Sequence, residues 1–449
     1  MSKRLIAVLA LALVAGLAFS PAYAEVQNIK VSGDIIASGV ARNSFNLTNG
    51  AAGDKNNIKQ SFIMSQLRVR IDADLTDNVM ATVRLINERV WNGQYDTASS
   101  GNSDIDLDLA YVTLKEFLYS PLTLTVGRQE IKFGNGLIIG NAGGVNDVAN
   151  IPNDLSERKA FDALRATLNY DPLVVDLIYA KVKETDTTRK NTINLTGINA
   201  TYTLNSKINA SAYFFNKRDN NDGTTSGSKG KADHANTLGA LISARPIENL
   251  TTSLEAAFQF GKNDSSNTNA SQHKAWALQA MADYTFAKVK MTPNIGASYT
   301  YLSGGESTAT RNGGWDSMFY DQALNNITYA LLPFSNMSVF NLRASAKPVE
   351  DVTISANYGY YDRAKSEAGA TLTSPASSDG SSSSLKSYLS NAALSGKSHL
   401  GDALDITAIY DYTEDVQLGL TGGLFIPGKA FSEERRTATQ IIGSMKVTF

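Results

Sequence analysis

Arginine recurs at alternate positions within segments of alternating polarity. In SFIMSQLRVRIDADL, Arg68 and Arg70 share one parity with Asp72, and the residues between them are apolar. A period of two places such residues on one face of a β-strand. A guanidinium group binds a carboxylate or phosphate through two parallel hydrogen bonds, so a face of this kind can hold anions. Cations of the same parity recur along the chain at Arg68, Arg70, Arg84, Arg165, Arg245, Lys290 and Arg343.

The alternating segments number about eighteen, from Val31 onward. Tight connections such as LTDN and KPVED alternate with long polar ones such as NLTNGAAGDKNN. This alternation is typical of a transmembrane up-and-down antiparallel β-barrel with short periplasmic turns and long outer loops. The sequence therefore predicts an all-β fold, a barrel of about eighteen strands over residues 25–449, with long outer loops near 302–336 and 363–402.

Residues 1–24 have the features of a cleaved secretory signal peptide. Lys3 and Arg4 precede an apolar run, and small residues at Ala22 and Ala24 flank the expected cleavage site. The chain contains no cysteine, so disulfides do not stabilise the exported protein. These features predict a protein of the cell outer membrane, with both termini on the periplasmic side.

An eighteen-stranded barrel encloses an aqueous lumen. Arginines in such a confined space lower the energy of an anion, which favours a channel with anion preference. The alternative is a general, non-selective porin whose arginines pair with acids of the same parity. These acids are fewer than the cations: Asp72, Glu88, Glu255, Asp283 and Asp405.

Several motifs resemble the alginate export family of outer-membrane barrels. The resemblance is carried by LTLTVGRQEIKFGNGLIIG at 122–140, by FDALRATL at 161–168 and by the segment 402–431. It implies an eighteen-stranded barrel and an arginine-rich conduit for an anionic polysaccharide such as alginate. Arg128 and Arg165 are the two arginines inside the matching motifs.

Arg128 is a lumen candidate on one condition. Alternation places it on the same face as Leu124 and Val126, which should contact lipid. A β-bulge at Gly127 would turn it inward. Arg165 needs no such irregularity.

Other classes of function fit the sequence less well. An enzyme needs a nucleophile and a base fixed together, and the three histidines, His234, His273 and His399, are scattered. We therefore predict no catalytic activity, no metal site and no cofactor. A barrel that sheathes a partner electron-transfer protein stays an alternative, as does a surface adhesin. The sequence contains no basic tract of the kind that would indicate nucleic acid as a partner.

Two further expectations concern the loops and the partners. The Gly- and Asn-rich stretch 134–157 is the best candidate for a loop that folds into the lumen, and an external loop is an equal alternative for it. The short turns leave no gate on the periplasmic side. The strand QIIGSMKVTF ends on Phe449, which resembles the signal that the barrel assembly machinery reads. The expected partners are this machinery, outer-membrane lipid and an anionic solute.

Overall fold

The computed structural model describes residues 28–45, 47, 59–91, 105–142, 152–184, 192–220, 233–263, 271–305, 311–366, 394–431 and 435–449. The predicted signal peptide lies outside the described residues, and so do residues 367–393, which make up most of the predicted outer loop near 363–402. Nineteen strands lie within these ranges. The first nine are β1 Asn28–Asn43, β2 Gln60–Thr76, β3 Val79–Val90, β4 Asp106–Leu114, β5 Leu122–Gln129, β6 Phe161–Asn169, β7 Leu173–Glu184, β8 Thr192–Asn205 and β9 Ile208–Asn220. The others are β10 Asp233–Ala244, β11 Leu250–Asn263, β12 Ser271–Thr285, β13 Asn294–Leu302, β14 Arg311–Asn312, β15 Met337–Val349, β16 Val352–Asp362, β17 His399–Asp411, β18 Val416–Pro427 and β19 Ala438–Thr448.

Eighteen of these strands form one closed antiparallel wall. Each strand pairs with its neighbours in the chain, and β1 pairs with β2 on one side and β19 on the other. Gly33 and Phe449 complete the closure, because the amide of each donates to the carbonyl of the other at 2.8 and 3.0 Å. The two-residue strand β14 is outside the wall and pairs in parallel with β12. This confirms the predicted eighteen-stranded barrel, in which no strand edge is left open.

Alternate residues point to opposite sides of the wall, as the polarity pattern predicts. Large apolar side chains are exposed on the outward side, which suits contact with lipid: Ile35, Leu67, Leu164, Leu177, Leu238, Leu254, Leu342, Ile406, Leu420 and Ile441. Buried polar side chains point inward: Asp34, Gln66, Arg84, Glu88, Asp176, Asn199, Gln259, Gln279, Asn341 and Asp405. Among the described residues, no helix is long and apolar enough to span a membrane.

The alternation of polarity over residues 289–301 predicts a strand that begins earlier than the observed one. β13 starts at Asn294 because Met291 and Thr292 have positive φ angles of 72° and 38°, which end the extended conformation. Lys290 therefore lies exposed in the turn between β12 and β13. Arg245 lies one residue beyond the end of β10 and is also exposed. We call the end of the barrel that carries these tight turns the short-turn end, and the opposite one the long-connection end.

Two connections enter the barrel from the long-connection end. The first inward segment comprises residues 130–142 and 152–160, and includes a 3₁₀ helix, Asn153–Leu155. The second comprises residues 303–305 and 311–336, and includes helix α1, Asn326–Leu331. Their apolar side chains pack against inward apolar residues of the wall, so the hydrophobic core lies inside the barrel: Ile131, Leu137, Ile139, Trp315, Phe319, Ile327 and Leu331, with Phe161, Phe215, Val339, Tyr361 and Phe425.

Candidate functional site

The two inward segments meet inside the lumen. Phe319 pairs with Ile139 in an isolated parallel bridge, and the Phe319 amide donates to the Ile138 carbonyl at 3.0 Å. The Gly140 amide donates to the Phe319 carbonyl at 2.8 Å. A Cβ atom at Gly140 would lie 2.5 Å from the Cβ of Asp321, so only glycine permits this approach. The meeting point is a contact between backbones, which fixes the relative position of the segments.

Two lysines converge on one carboxylate at this contact. Nζ of Lys132 donates to Asp321 Oδ2 at 3.0 Å, and Nζ of Lys159 donates to Oδ1 at 2.8 Å. The side chains of Lys132 and Lys159 are 49% and 35% exposed, whereas that of Asp321 is 13% exposed. The three charges sum to one net positive charge, and the lysines remain accessible to a solute. We call these three residues the lysine–aspartate cluster.

The lysines also determine how Asp321 titrates. Burial raises the pKa of Asp321, but the hydrogen bonds and charges of Lys159 and Lys132 outweigh burial and hold this pKa below its ordinary value of 3.8. A depressed carboxyl pKa stabilises the contact at every pH above the ordinary value, and this stabilisation is lost as the pH falls through the lowered pKa.

We therefore predict that acid alters conduction only below the ordinary carboxyl range. The part of the single-channel conductance that depends on Asp321 is the difference between the wild type and Asp321→Asn. This difference should stay constant from neutral pH down to the ordinary pKa of 3.8, and should disappear in more acidic solution as Asp321 protonates and releases the two lysines. Asp321→Asn should show the altered conductance already at neutral pH. A wild-type transition at neutral pH that Asp321→Asn retains would assign the effect to another group.

Side chains of β1 and β2 hold the first inward segment to the wall. The buried Arg42 forms an ion pair with Asp154, and Nη1 of Arg68 donates to Glu157 at 2.9 Å. Gln66 Nε2 donates to the Leu155 carbonyl at 2.8 Å. The inward location predicted for 134–157 thus holds for its described residues, 134–142 and 152–157.

The second inward segment is fixed to the wall at two separate strands. Lys217 on β9 donates to both carboxylate oxygens of Asp316 at 3.0 and 2.9 Å, and these side chains are 2% and 5% exposed. The Asp405 carboxylate on β17 accepts from the Asn326 amide at 2.7 Å, at the start of α1. The sequence predicted only an outer loop near 302–336, and the inward path of this segment was not predicted.

Five of the predicted arginines point into the lumen. Each of the five pairs with a carboxylate, as expected for a general porin whose lumen arginines are neutralised by acids. Arg68 pairs with Asp34 and Glu157, Arg70 with Asp72, Arg84 with Asp108 and Glu130, Arg165 with Asp176, and Arg343 with Asp283.

Three of the five keep further donors that face the lumen. The side chains of Arg70, Arg165 and Arg343 are 36%, 30% and 31% exposed. Arg70 and Arg165 each bind their aspartate through Nε and Nη2. Among the described residues, Nη1 of either side chain has no partner. Because a guanidinium group has five N–H donors, these arginines can bind a second anion without releasing the first.

Arg128 is not a lumen residue. β5 keeps its register with both β4 and β6 through Arg128, so no bulge is present, although Gly127 has a φ of 123°. Arg128 therefore stays on the outward side and donates to Asp162 at 3.0 Å. Gly127 is needed because a Cβ atom there would lie 2.2 Å from the Ala110 carbonyl oxygen. The pore-lining prediction is also wrong for Arg245 and Lys290, which lie in exposed turns at the short-turn end.

The outward position of Arg128 gives a direct prediction. Arg128→Gln should leave the ratio of anion to cation permeability unchanged within about twofold, because the wall separates this charge from the conducted ions. The reversal potential in a salt gradient measures this ratio. A loss of anion preference as large as that of Arg165→Gln would place Arg128 in the conduction path.

Sequence reasoning missed the lysine–aspartate cluster. Lys132 and Lys159 border the Gly- and Asn-rich stretch, and this position was a usable signal. The carboxylate that pairs with them could not be predicted, since Asp321 lies 162 residues beyond Lys159 in the chain. Within the described residues, no group of three or more His, Asp or Glu side chains is arranged to hold a metal ion.

Comparison with known proteins connects this geometry to a family. The sequence profile described as alginate export matches residues 39–443. No curated protein matches the chain. Three solved structures from Pseudomonas aeruginosa share the fold. OccK8 (OprE) is similar with a TM-score of 0.56 and 11% identity, covering 95% of this chain and 100% of that chain.

The other two structures are complexes with small molecules. OccK2 (OpdF) in complex with glucuronate has a TM-score of 0.55 and 10% identity, with 95% and 100% of the two chains covered. OpdK with vanillate has a TM-score of 0.53 and 10% identity, with 94% and 99% covered. At these identities the likeness shows the fold alone, and fold and family together favour an outer-membrane channel over an enzyme. Because the profile covers most of the sequence, this chain belongs to the alginate export family.

Proposed function

We propose that this outer-membrane channel conducts small anionic solutes, with carboxylates as the preferred class. The observation that carries the proposal is the lysine–aspartate cluster, where Lys132 and Lys159 share the single carboxylate of Asp321. An entering carboxylate can replace Asp321 on either lysine, because both amines are accessible. The excess positive charge at the meeting point of the segments favours anions over cations.

The wall arginines provide further positions along the lumen. Arg70, Arg165 and Arg343 keep donors available beside their aspartates, and Phe133 lies 5.5 Å from the Arg165 guanidinium. Transfer between sites requires that each site binds weakly. The neighbouring carboxylates meet this requirement because their negative charge offsets part of the attraction between the guanidinium groups and the solute.

The general porin is the second candidate, and the ion pairs of the wall arginines favour it. A wall in which each of the five inward arginines is paired with a carboxylate adds little net charge. The lysine–aspartate cluster distinguishes the two candidates, since its charge is uncompensated and lies where the inward segments narrow the lumen.

The inward segments favour small solutes over a polymer or a protein partner. Their apolar residues pack on the wall across the lumen, and buried ion pairs hold both segments in place. A polysaccharide chain or an electron-transfer protein would have to displace this core. Two channels of the same fold have been solved with vanillate and with glucuronate, which are carboxylates of the size that we propose.

The orientation and the maturation of the chain are part of the proposal. The short-turn end faces the periplasm, and the long connections face the exterior. Residues 1–24 direct export and are removed. Phe449, with a half-exposed ring on the outward side of the wall, contacts the assembly machinery.

Planar-bilayer recording of the refolded chain tests the proposal. The reversal potential in a potassium chloride gradient should show anion preference, and added glucuronate should reduce the chloride current while glucose at equal concentration does not. Equal block by both sugars, or a preference for potassium, would support the general porin. Block by an oligo-uronate at far lower concentration than by glucuronate would instead indicate a polymer conduit.

A further inference from the structure

The outward face of four neighbouring strands carries cations at the same end. Arg218 on β9, His234 on β10 and Lys262 on β11 lie directly opposite one another, and Lys274 on β12 lies one diagonal step from Lys262. All four are within four residues of the long-connection end of their strands. Given the spacing of strands, the three permanent cations lie within about 15 Å of one another. We call these four residues the cationic patch.

No acid at the described outward positions of these strands compensates the patch. The outward positions of the described residues of β9–β12 include no aspartate or glutamate. Arg218 Nε donates to the neutral Asn220 side chain at 2.9 Å. Lys262 and Lys274 form no ion pair with any residue that the structure describes. The patch therefore presents positive charge to whatever surrounds the barrel.

Aromatic side chains lie directly below the patch on the same outward face. The Phe260 ring is 6.5 Å from Phe214 and 6.1 Å from Phe258, and Trp276 stacks on Tyr301 at 4.3 Å. Phe260 and Trp276 are each one outward position below a lysine of the patch. The cations thus lie at the boundary between the apolar band and the polar region, which is the depth of lipid headgroups.

The rest of the wall lacks this combination. Near the long-connection ends of β15–β19, outward positions hold no permanent cation: Ser338, Tyr360, Asp402, Ile426 and Thr439. Arg89 on β3 is outward and exposed near the same end, but it stands alone. Arg128 on β5 and Lys181 on β7 are also outward near this end, and both lie opposite the acid Asp162 on β6. The cluster of cations that faces no described acid is therefore confined to one sector.

We propose that the cationic patch binds the headgroup of a membrane glycolipid that carries phosphate on its sugars, with the acyl chains on the aromatic residues below. Ammonium and guanidinium groups bind phosphate through charge-assisted hydrogen bonds, and two or three of them fit one multiply phosphorylated headgroup. The proposed site is on the outside of the wall, so it does not depend on conduction through the lumen.

Native mass spectrometry of the refolded full chain in mild detergent tests this site. The probe is bisphosphorylated lipid A, with its dephosphorylated form as the comparison and EDTA present to remove bridging metal ions. The triple variant Arg218→Gln, Lys262→Gln, Lys274→Gln should bind the phosphorylated lipid at least tenfold more weakly. Arg89→Gln, the matched outward cation outside the patch, should bind it like the wild type.

Three results would overturn the proposal. These are binding by the triple variant within twofold of wild type, equal binding of the dephosphorylated lipid, and complete displacement of the lipid by millimolar inorganic phosphate. Unchanged single-channel conductance shows that the triple variant is folded, and keeps this test separate from that of the lumen. If the triple variant fails to fold, the salt dependence of lipid binding by the wild type is measured instead. Binding that does not weaken at raised salt would show that the cations of the patch do not hold the lipid.

Discussion

A channel with glutamine in place of both Lys132 and Lys159 is expected to lose most of its preference for anions. The substitution changes the charge of the lysine–aspartate cluster from one net positive to one net negative. Each charge interacts with an ion at 4 Å by about 1 kcal/mol even in a water-like medium. Two charges are removed, which changes the energy of an anion by about 2 kcal/mol. The ratio of anion to cation permeability, measured from reversal potentials, should therefore fall by about tenfold or more.

Two further variants determine whether position or charge alone produces this effect. Arg245→Gln with Lys290→Gln removes the same number of cations from exposed turns at the short-turn end, and should change the ratio by less than about twofold. Asp321→Asn should shift the ratio in the opposite direction, towards anions. Equal losses in the two double variants would mean that the mouth sets selectivity rather than the lysine–aspartate cluster.

Lys217→Met is expected to release the second inward segment from the wall. This substitution leaves the Asp316 carboxylate buried without its cation, which costs about 3–5 kcal/mol. Bursts of higher conductance should appear as the segment detaches. Trp315, next to Asp316 and fully buried, should become accessible to aqueous acrylamide, which measures the detachment by fluorescence quenching.

The controls use another lumen lysine and the paired substitution. Lys446 is 42% exposed and lies 3.8 Å from Asp34, so Lys446→Met should cost no more than about 1 kcal/mol and leave Trp315 protected. Lys217→Met combined with Asp316→Leu should restore much of the protection, because an apolar pair of similar size replaces the ions. Protection lost equally in the single and double variants would assign the anchoring role to other contacts.

The alternation of the sequence was sufficient to predict the wall. Period two determines which side a residue faces, so Arg165 and Arg343 could be assigned to the lumen without knowledge of any partner. The assignment failed where the backbone departs from regular extension. Lys290 was assigned wrongly because the strand is interrupted by the positive φ angles at Met291 and Thr292, which a polarity pattern does not reveal.

The filled lumen was the larger omission, and the sequence did contain a signal for it. Phe215, Val339 and Phe425 have inward parity and are fully buried. Apolar side chains facing a water-filled lumen would be unfavourable, so they indicate that other parts of the chain cover them. Which parts do so could not be predicted, because the covering contacts join residues far apart in the chain.

The wall is not equally tall around its circumference. β4, β5 and β6 have only 9, 8 and 9 residues, against 16 and 17 for β1 and β2. On β5 the outward apolar residues end at Val126, below the Arg128–Asp162 pair, so they extend over about 13 Å of strand. A bilayer has to thin beside this sector to match it. Two barrels that place their low sides together share one thinned zone, and hydrophobic mismatch then gives their association in the membrane a preferred orientation.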